Sequence, residues 1–254
     1  MQSLEALLAP AEYAQLKSSS LRTTVCVVFD VLRATSTLLT ALANGAESIV
    51  PVAEIPEALD WKQRQPDVLL AGERHGLRIR AEQTGSIDFD FGNSPREFVA
   101  ARVQGRRIVT TTTNGTRALK ACLGAQRVLV GSLLNIRSVT DELVRTNPER
   151  VLLVCSGAAE DAAYEDTIAA GAIVDALKAV YGNEIFGDAA QSAHQAFLAA
   201  RSDLLGALKT FARNGRRLNG LPDLAPDLPV CAAMNSLSLL AEMDSAGVIR
   251  KVAN

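Results

Sequence analysis

The sequence predicts an α/β protein, a three-layer α/β/α sandwich around a largely parallel sheet, on three observations. Short, nearly continuous, β-branched apolar runs alternate along the chain with Ala/Leu-rich segments of helical period. Hydrophobic residues make up 48% of the chain and aromatic residues only 4%. The core must then be filled mainly by Ala, Val, Leu and Ile, as suits helices covering strands buried on both faces. The 254 residues contain no Gly-, Ser- or charge-rich linker, so residues 1–254 read as a single α/β domain.

In chain order, the runs at 24–29 (TVCVVF), 48–52, 68–71, 107–111, 127–130 and 151–155 read as buried strands, being short and bounded by turn residues. Helical spacing assigns 34–43, 95–102, 116–123, 139–146, 166–181 and 189–199 to helices. An internal echo links two of these units. Residues 24–52 and 107–131 both read as strand, polar loop, Ala/Leu helix, Gly-Ala and strand, with the glycine where a left-handed cap is needed. Pro222, Pro226 and Pro229 break the periodicity, so 219–229 reads as a Pro-rich surface connection before a last apolar segment at 231–241.

A formal net charge of -2 excludes the broad basic field that recruits nucleic acid, so any anion must be held by local charges. No apolar stretch approaches the roughly 18 residues of a membrane span, and the first twenty residues lack the basic start and apolar stretch of a signal peptide. Cys26, Cys122, Cys155 and Cys231 lie far apart, without zinc-ligand spacing. A reducing cytoplasm is the expected compartment.

Five segments could carry chemistry, each at a strand end or helix start. In Asp30-Val31-Leu32-Arg33-Ala34-Thr35-Ser36-Thr37, a helix start with unpaired N–H groups, an arginine and three hydroxyls can hold a phosphate or sulfonate, and Asp30 can bind a metal. Gly72-Glu73-Arg74-His75-Gly76 sets opposite charges between glycines, for a metal or proton and an anion, although an exposed hairpin would look the same. Gly92-Asn93-Ser94-Pro95-Arg96-Glu97 contains a capping box with proline at the first helical position, and Asn93 would present an amide at the helix mouth. Thr110 to Arg117 places a hydroxyl run and Asn114-Gly115 before a helix, a concave donor nest that is not a Walker A loop. Residues 155–167 gather Glu160, Asp161, Glu165 and Asp166 at a helix start, where acids stabilise the helix or bind a small divalent cation. Cys155 lacks a paired histidine and reads as core. Asp88 and Asp90 make a DxD whose following Phe-Gly-Asn departs from the haloacid-dehalogenase pattern.

Taken together and in order, DVLRATST, GERHG, FGNSP, TTTNGT and CSG followed by YEDTIAAGA resemble the motif set of the 2-phosphosulfolactate phosphatase family, over about residues 24 to 180. Asp227 and Cys231 match the family's DI-x-x-C element, whereas CAAMNSLSLLAEMD around it is divergent. The resemblance implies a Mg²⁺-dependent phosphatase of the coenzyme M pathway, an α/β/α fold with a mixed sheet, and a homodimer. It places Asp30, Arg33, Glu73 and Asp166 in the reaction. It gives the substrate anions to Arg33, Arg74, Asn93, Ser94, Thr113, Asn114, Gly115 and Thr116, and Mg²⁺ to some of Asp30, Glu73, Glu165 and Asp166. The expected partner is a small anionic phosphorylated substrate, with no nucleic acid and no membrane. Two alternatives stay open: a phosphatase of the same fold acting on another phosphorylated C3 acid, and a non-catalytic binder of phosphorylated or sulfonated metabolites.

Overall fold

Every residue of TVCVVF is buried, and alternate side chains serve different layers. Val25, Val27 and Phe29 pack with Ile168, Ile173 and Val174 of the helix Tyr164–Tyr181. Cys26 and Val28 pack with Leu38 and Leu39 of the helix Ala34–Ala43 and with Leu119 of the helix Gly115–Ala121. A strand with apolar residues at both parities can only lie between two helical layers, and this makes the three-layer sandwich. The computed structural model describes residues 1–18 and 21–252.

The strands are β1 (Ser3–Leu7), β2 (Thr24–Phe29), β3 (Ser48–Pro51), β4 (Leu69–Arg74), β5 (Leu77–Arg78), β6 (Arg107–Thr111), β7 (Arg127–Gly131), β8 (Arg150–Cys155), β9 (Ala241–Met243) and β10 (Ile249–Lys251). They form one sheet in the order β1-β8-β2-β7-β9-β10-β3-β6-β4-β5. β1, β8, β2 and β7 are mutually parallel, with Cys26 opposite both Leu152 and Val128. β3, β6 and β4 form a second parallel set, with Ile49 opposite Ile108. The antiparallel β9–β10 hairpin pairs with β7 on one side and β3 on the other, so the two sets run in opposite senses within a mixed sheet.

The chain crosses between the two sets twice. β2 leads through the helix Ala34–Ala43 to β3 in the other set, and β6 leads through the helix Gly115–Ala121 back to β7. The glycines closing these helices, Gly45 and Gly124, both take positive φ. Each crossing is followed by a local step, β3 to β4 through the helix Ile55–Arg64 and β7 to β8 through the helix Ile136–Thr146. Residues 24–74 and 107–155 therefore thread the sheet in the same order and exchange one crossing each. The loops after β2 and β6 meet as a result.

Several elements differ from the sequence reading. The helix expected at 95–102 is a 3-10 turn, Pro95–Glu97, followed by a separate short helix, Ala100–Val103. The expected capping box at Ser94 and Glu97 is not made by Ser94, whose hydroxyl donates instead to the Asp227 carboxylate at 2.6 Å. A bond to a buried carboxylate outcompetes one to a neutral backbone group. Residues 219–223 are exposed, but the chain then turns inward and buries Asp227 and Leu228 on the short helix Asp227–Cys231. β1, β9 and β10 escaped the sequence reading because each is a short strand without a continuous apolar run.

Candidate active site

Two helix starts touch at the centre of the molecule. Gly115, at the N-terminus of the helix after β6, lies against the Asp30 side chain at the end of β2. A Cβ at that position would stand 2.7 Å from Asp30 Oδ2 and 2.8 Å from Ala34 Cβ. Only a glycine permits this approach, which brings the two hydroxyl-rich corners of the sequence, at 30–37 and 110–117, together. Asp30 is fixed from its own loop: the Ala34 amide donates to Oδ1 at 3.0 Å, and the Asp30 amide donates to Thr35 Oγ1 at 3.0 Å.

The motif GERHG is both a hairpin and part of the site. β4 and β5 pair antiparallel, and the two turn residues His75 and Gly76 have φ of 55° and 77°, as a primed two-residue turn requires. The Glu73 carboxylate holds this turn to the next corner. Its Oε2 accepts the Gly76 amide at 2.6 Å, and its Oε1 accepts both the amide and the hydroxyl of Thr113 at 2.9 Å. Arg74 donates to the Glu73 carbonyl at 2.8 Å and to Thr111 Oγ1 at 3.1 Å. Among the described residues no carboxylate pairs with it, so its charge is available to a ligand.

These corners enclose a cleft of about 410 Å³. Asp30, Arg33, Glu73, Arg74, Asn93, Thr113 and Asn114 line it, and His75 and Gly76 join them from the hairpin. The remaining expected residues stand behind this lining. The Ser94 hydroxyl is committed to Asp227. The Thr116 hydroxyl pairs with Thr112 inside the turn, at 3.1 Å. Asp166, 1% exposed, ties two strand ends together: its Oδ1 accepts the Val31 amide at 2.8 Å, and its Oδ2 accepts Ser156 Oγ and the Gly157 amide at 3.0 and 3.2 Å. Glu165 accepts from Asn214 through Oε1 at 2.7 Å, while its Oε2 is buried without a partner among the described residues.

The electrostatics of this group favour a bound cation. Burial, with the carboxylates of Glu73 and Glu165 nearby, pushes the Asp30 carboxyl up to about 6. Burial likewise raises Glu165, and burial with the charges of Asp30 and Glu165 raises Asp166 well above the carboxylate range. Oxygen donors, mutual repulsion and the orphaned Glu165 oxygen suit a small hard divalent ion. They do not form a preformed cage, since among the described residues no three His, Cys, Asp or Glu are placed to ligate a metal together. Of the four carboxylates expected at the metal, Glu73 and Asp166 accept protein donors at both oxygens, whereas Glu165 keeps Oε2 without one among the described residues. Mg²⁺ commonly takes only one or two carboxylates and completes its shell with water and phosphate.

The residues that sequence reasoning missed come from the helix Arg213–Asn219, whose Arg213, Asn214 and Arg217 form a further wall of the cleft. The available signal was RNGRRLNG, in which Arg213 and Arg217 fall four residues apart on one helical face. Asp88 and Asp90 lie outside the cleft: Asp88 pairs with Arg80, and Asp90 accepts the Leu70 amide. Cys155 is fully buried and its thiol is pushed far up by burial, so it supplies no thiolate.

A layered α/β fold that converges several cationic and amide donors beside buried carboxylates can hold a phosphorylated ligand. A sequence model described as 2-phosphosulpholactate phosphatase matches residues 11–246, and this family match makes the chain an enzyme of the phosphoric monoester hydrolase class. The chain belongs to the 2-phosphosulfolactate phosphatase family. It is 33% identical over 240 residues to a probable 2-phosphosulfolactate phosphatase of Caldanaerobacter subterraneus, covering 94% of this chain and 95% of that one. It is 39% identical over 231 residues to a protein of the same name from Symbiobacterium thermophilum, covering 89% and 93%. A third, from Clostridium acetobutylicum, is 33% identical over 235 residues, covering 92% and 95%.

Proposed function

We propose that this chain hydrolyses 2-phosphosulfolactate to 3-sulfolactate and inorganic phosphate, with Mg²⁺ held by Asp30 and Glu165. The observation that carries this reading is the cleft itself, lined by the guanidinium groups of Arg33, Arg74, Arg213 and Arg217, of which Arg74 and Arg217 pair with no carboxylate among the described residues. A substrate bearing phosphate, carboxylate and sulfonate needs that excess of positive charge. In the reaction a water oxygen bonds to phosphorus, the bond from phosphorus to the ester oxygen breaks, and a proton passes to the departing alkoxide. Monoester hydrolysis is extremely slow in water, so catalysis rests on positioning and on neutralising phosphate charge.

Each residue has a defined part in this scheme. Arg74 neutralises phosphate oxygens from the hairpin wall. Asn93 and Asn114 offer amide donors, and Glu73 holds Thr113 and Gly76 in place. Bound Mg²⁺ would neutralise phosphate charge and orient water. The carboxylates of Asp30 and Glu165 repel each other without such an ion, which is the support for placing it there. This reading puts the reaction in coenzyme M biosynthesis, and the chain in the cytoplasm as a homodimer. No described helix is long and apolar enough to cross a membrane.

Phosphate release from 2-phosphosulfolactate, measured after chelation and after Mg²⁺ is restored, tests the proposal. Release that depends on added Mg²⁺ is expected. Full activity in excess chelator would remove the metal from the reading, and no release with Mg²⁺ present would remove the substrate. Light scattering should give twice the 27.0 kDa chain mass.

A further inference from the structure

The four arginines of the cleft are not equivalent. Arg33 is 3% exposed, its Nη1 donates to Asp227 Oδ2 at 2.7 Å and its Nη2 to the Gly76 carbonyl at 2.7 Å. Its charge is thus matched within the protein. Arg217 and Arg213 differ: both are exposed and stand on the same face of one helix. Arg217 donates to the His75 carbonyl at 2.7 Å and pairs with no carboxylate among the described residues. Arg213 donates to the Ala158 carbonyl and meets only the largely exposed Asp161, at 3.1 Å.

These backbone contacts fix where the two charges stand. Arg217 is tied to the tip of the β4–β5 hairpin and Arg213 to the loop after β8, so the helix bridges two walls of the cleft. Gly76 makes room for this, since an atom at its Cβ position would lie 1.9 Å from Arg217 Nη2 and 3.8 Å from Arg33 Nη2. Asn214 sits between the two arginines and binds Glu165. A guanidinium held by one backbone carbonyl keeps further N–H groups, in a planar fork that matches two oxygens of a tetrahedral anion. Asp30, the carboxylate proposed for the metal, lines the cleft with Arg74, Thr113 and Asn114, which suit the metal-assisted phosphate.

We propose that Arg213 and Arg217 form a subsite for the sulfonate of the substrate, so that this helix reads the third anionic group and not the phosphate. The inference rests on the proposed function and specifies which residues confer its selectivity. Specificity of this kind arises because a sulfonate meets two charges that a substrate lacking it leaves unused.

Calorimetric binding of 3-sulfolactate and of lactate to the intact protein tests the subsite without turnover, with Arg213→Ala, Arg217→Ala and Arg217→Lys as variants. The wild type should prefer 3-sulfolactate by at least tenfold, Arg217→Ala should lose most of that preference, and Arg217→Lys should keep part of it. In parallel, Arg217→Ala should raise KM for 2-phosphosulfolactate about tenfold while changing KM for 2-phospholactate less than threefold. A wild type without preference, a preference kept in both alanine variants, or equal losses on the two phosphorylated substrates would overturn the subsite. Absence of turnover alongside selective sulfonate binding would overturn the phosphatase reading and leave the subsite standing.

Discussion

Arg33 and Asp227, 194 residues apart in the chain, meet in a buried ion pair of 2.7 Å at the floor of the cleft. Asp227 is wholly buried and also accepts Ser94 Oγ at 2.6 Å and Arg96 Nε at 2.7 Å. One carboxylate thus joins two of the loops that build the site, the one after β2 and the one at 93–96. Asp227→Asn leaves the buried Arg33 without its counter-charge, and removing one partner of such a pair costs roughly 3–5 kcal/mol. Chemical denaturation should show a loss of that order together with a strong fall in activity. An unchanged midpoint would show that Asp227 does not neutralise Arg33.

At Gly115 the constraint is steric. In Gly115→Ala the new methyl would press on Asp30 Oδ2 and Ala34 Cβ at 2.7 and 2.8 Å. Overpacking of this kind costs about 1–3 kcal/mol, and it also displaces the carboxylate assigned to the metal. Activity should fall more than tenfold while the protein stays folded, as circular dichroism and phosphate release can check. Wild-type activity in this variant would show that the contact of the two helix starts is dispensable.

Asp166 separates a structural demand from a catalytic one. Its two oxygens accept three donors, and Asp166→Asn turns one oxygen toward those donors into an NH₂ group. A buried donor facing a donor costs about 1–3 kcal/mol. The variant should lose stability by that amount in addition to turnover. Lost turnover at unchanged stability would mean that Asp166 contacts the reacting atoms directly.

The carboxyl of Asp30 gives a pH signature in metal-free protein. Its folded pKa, pushed up to about 6 by burial, lies above the ordinary carboxylate range, so the folded state holds the proton more tightly than the unfolded chain. The stabilising contribution is fully present below about pH 4 and is lost as pH rises through about 6, amounting to roughly 3 kcal/mol at 1.4 kcal/mol per unit. In chelator, wild-type stability should therefore drop relative to Asp30→Asn between pH 4.5 and pH 7. Parallel stability curves for the two proteins over that range would refute the shift.

Much of the site was legible locally because its residues sit at strand-to-helix corners. DVLRATST, GERHG and TTTNGT each place a charge or a donor run where backbone N–H groups are unpaired, a property of a few adjacent residues. The sequence separated GERHG as a hairpin from GERHG as a site wall, but the protein uses it as both. Ser94 and Thr116 carried plausible signals as ligand donors, yet their hydroxyls serve Asp227 and Thr112. The wall from the helix Arg213–Asn219 left only a spacing of arginines, which any solvated helix shares.

The sequence by itself determined the layers, because buried strands and amphipathic helices follow from the local period of apolar side chains, and it determined which corners bear charge. The tertiary structure decided which charges remain available. Arg33 is neutralised by a residue near the far end of the chain, Arg217 is not, and Glu73 is consumed in bracing Thr113. Charge compensation acts across space between residues that are distant in the chain, so it appears only once the two crossings between the half-sheets have brought the loops together.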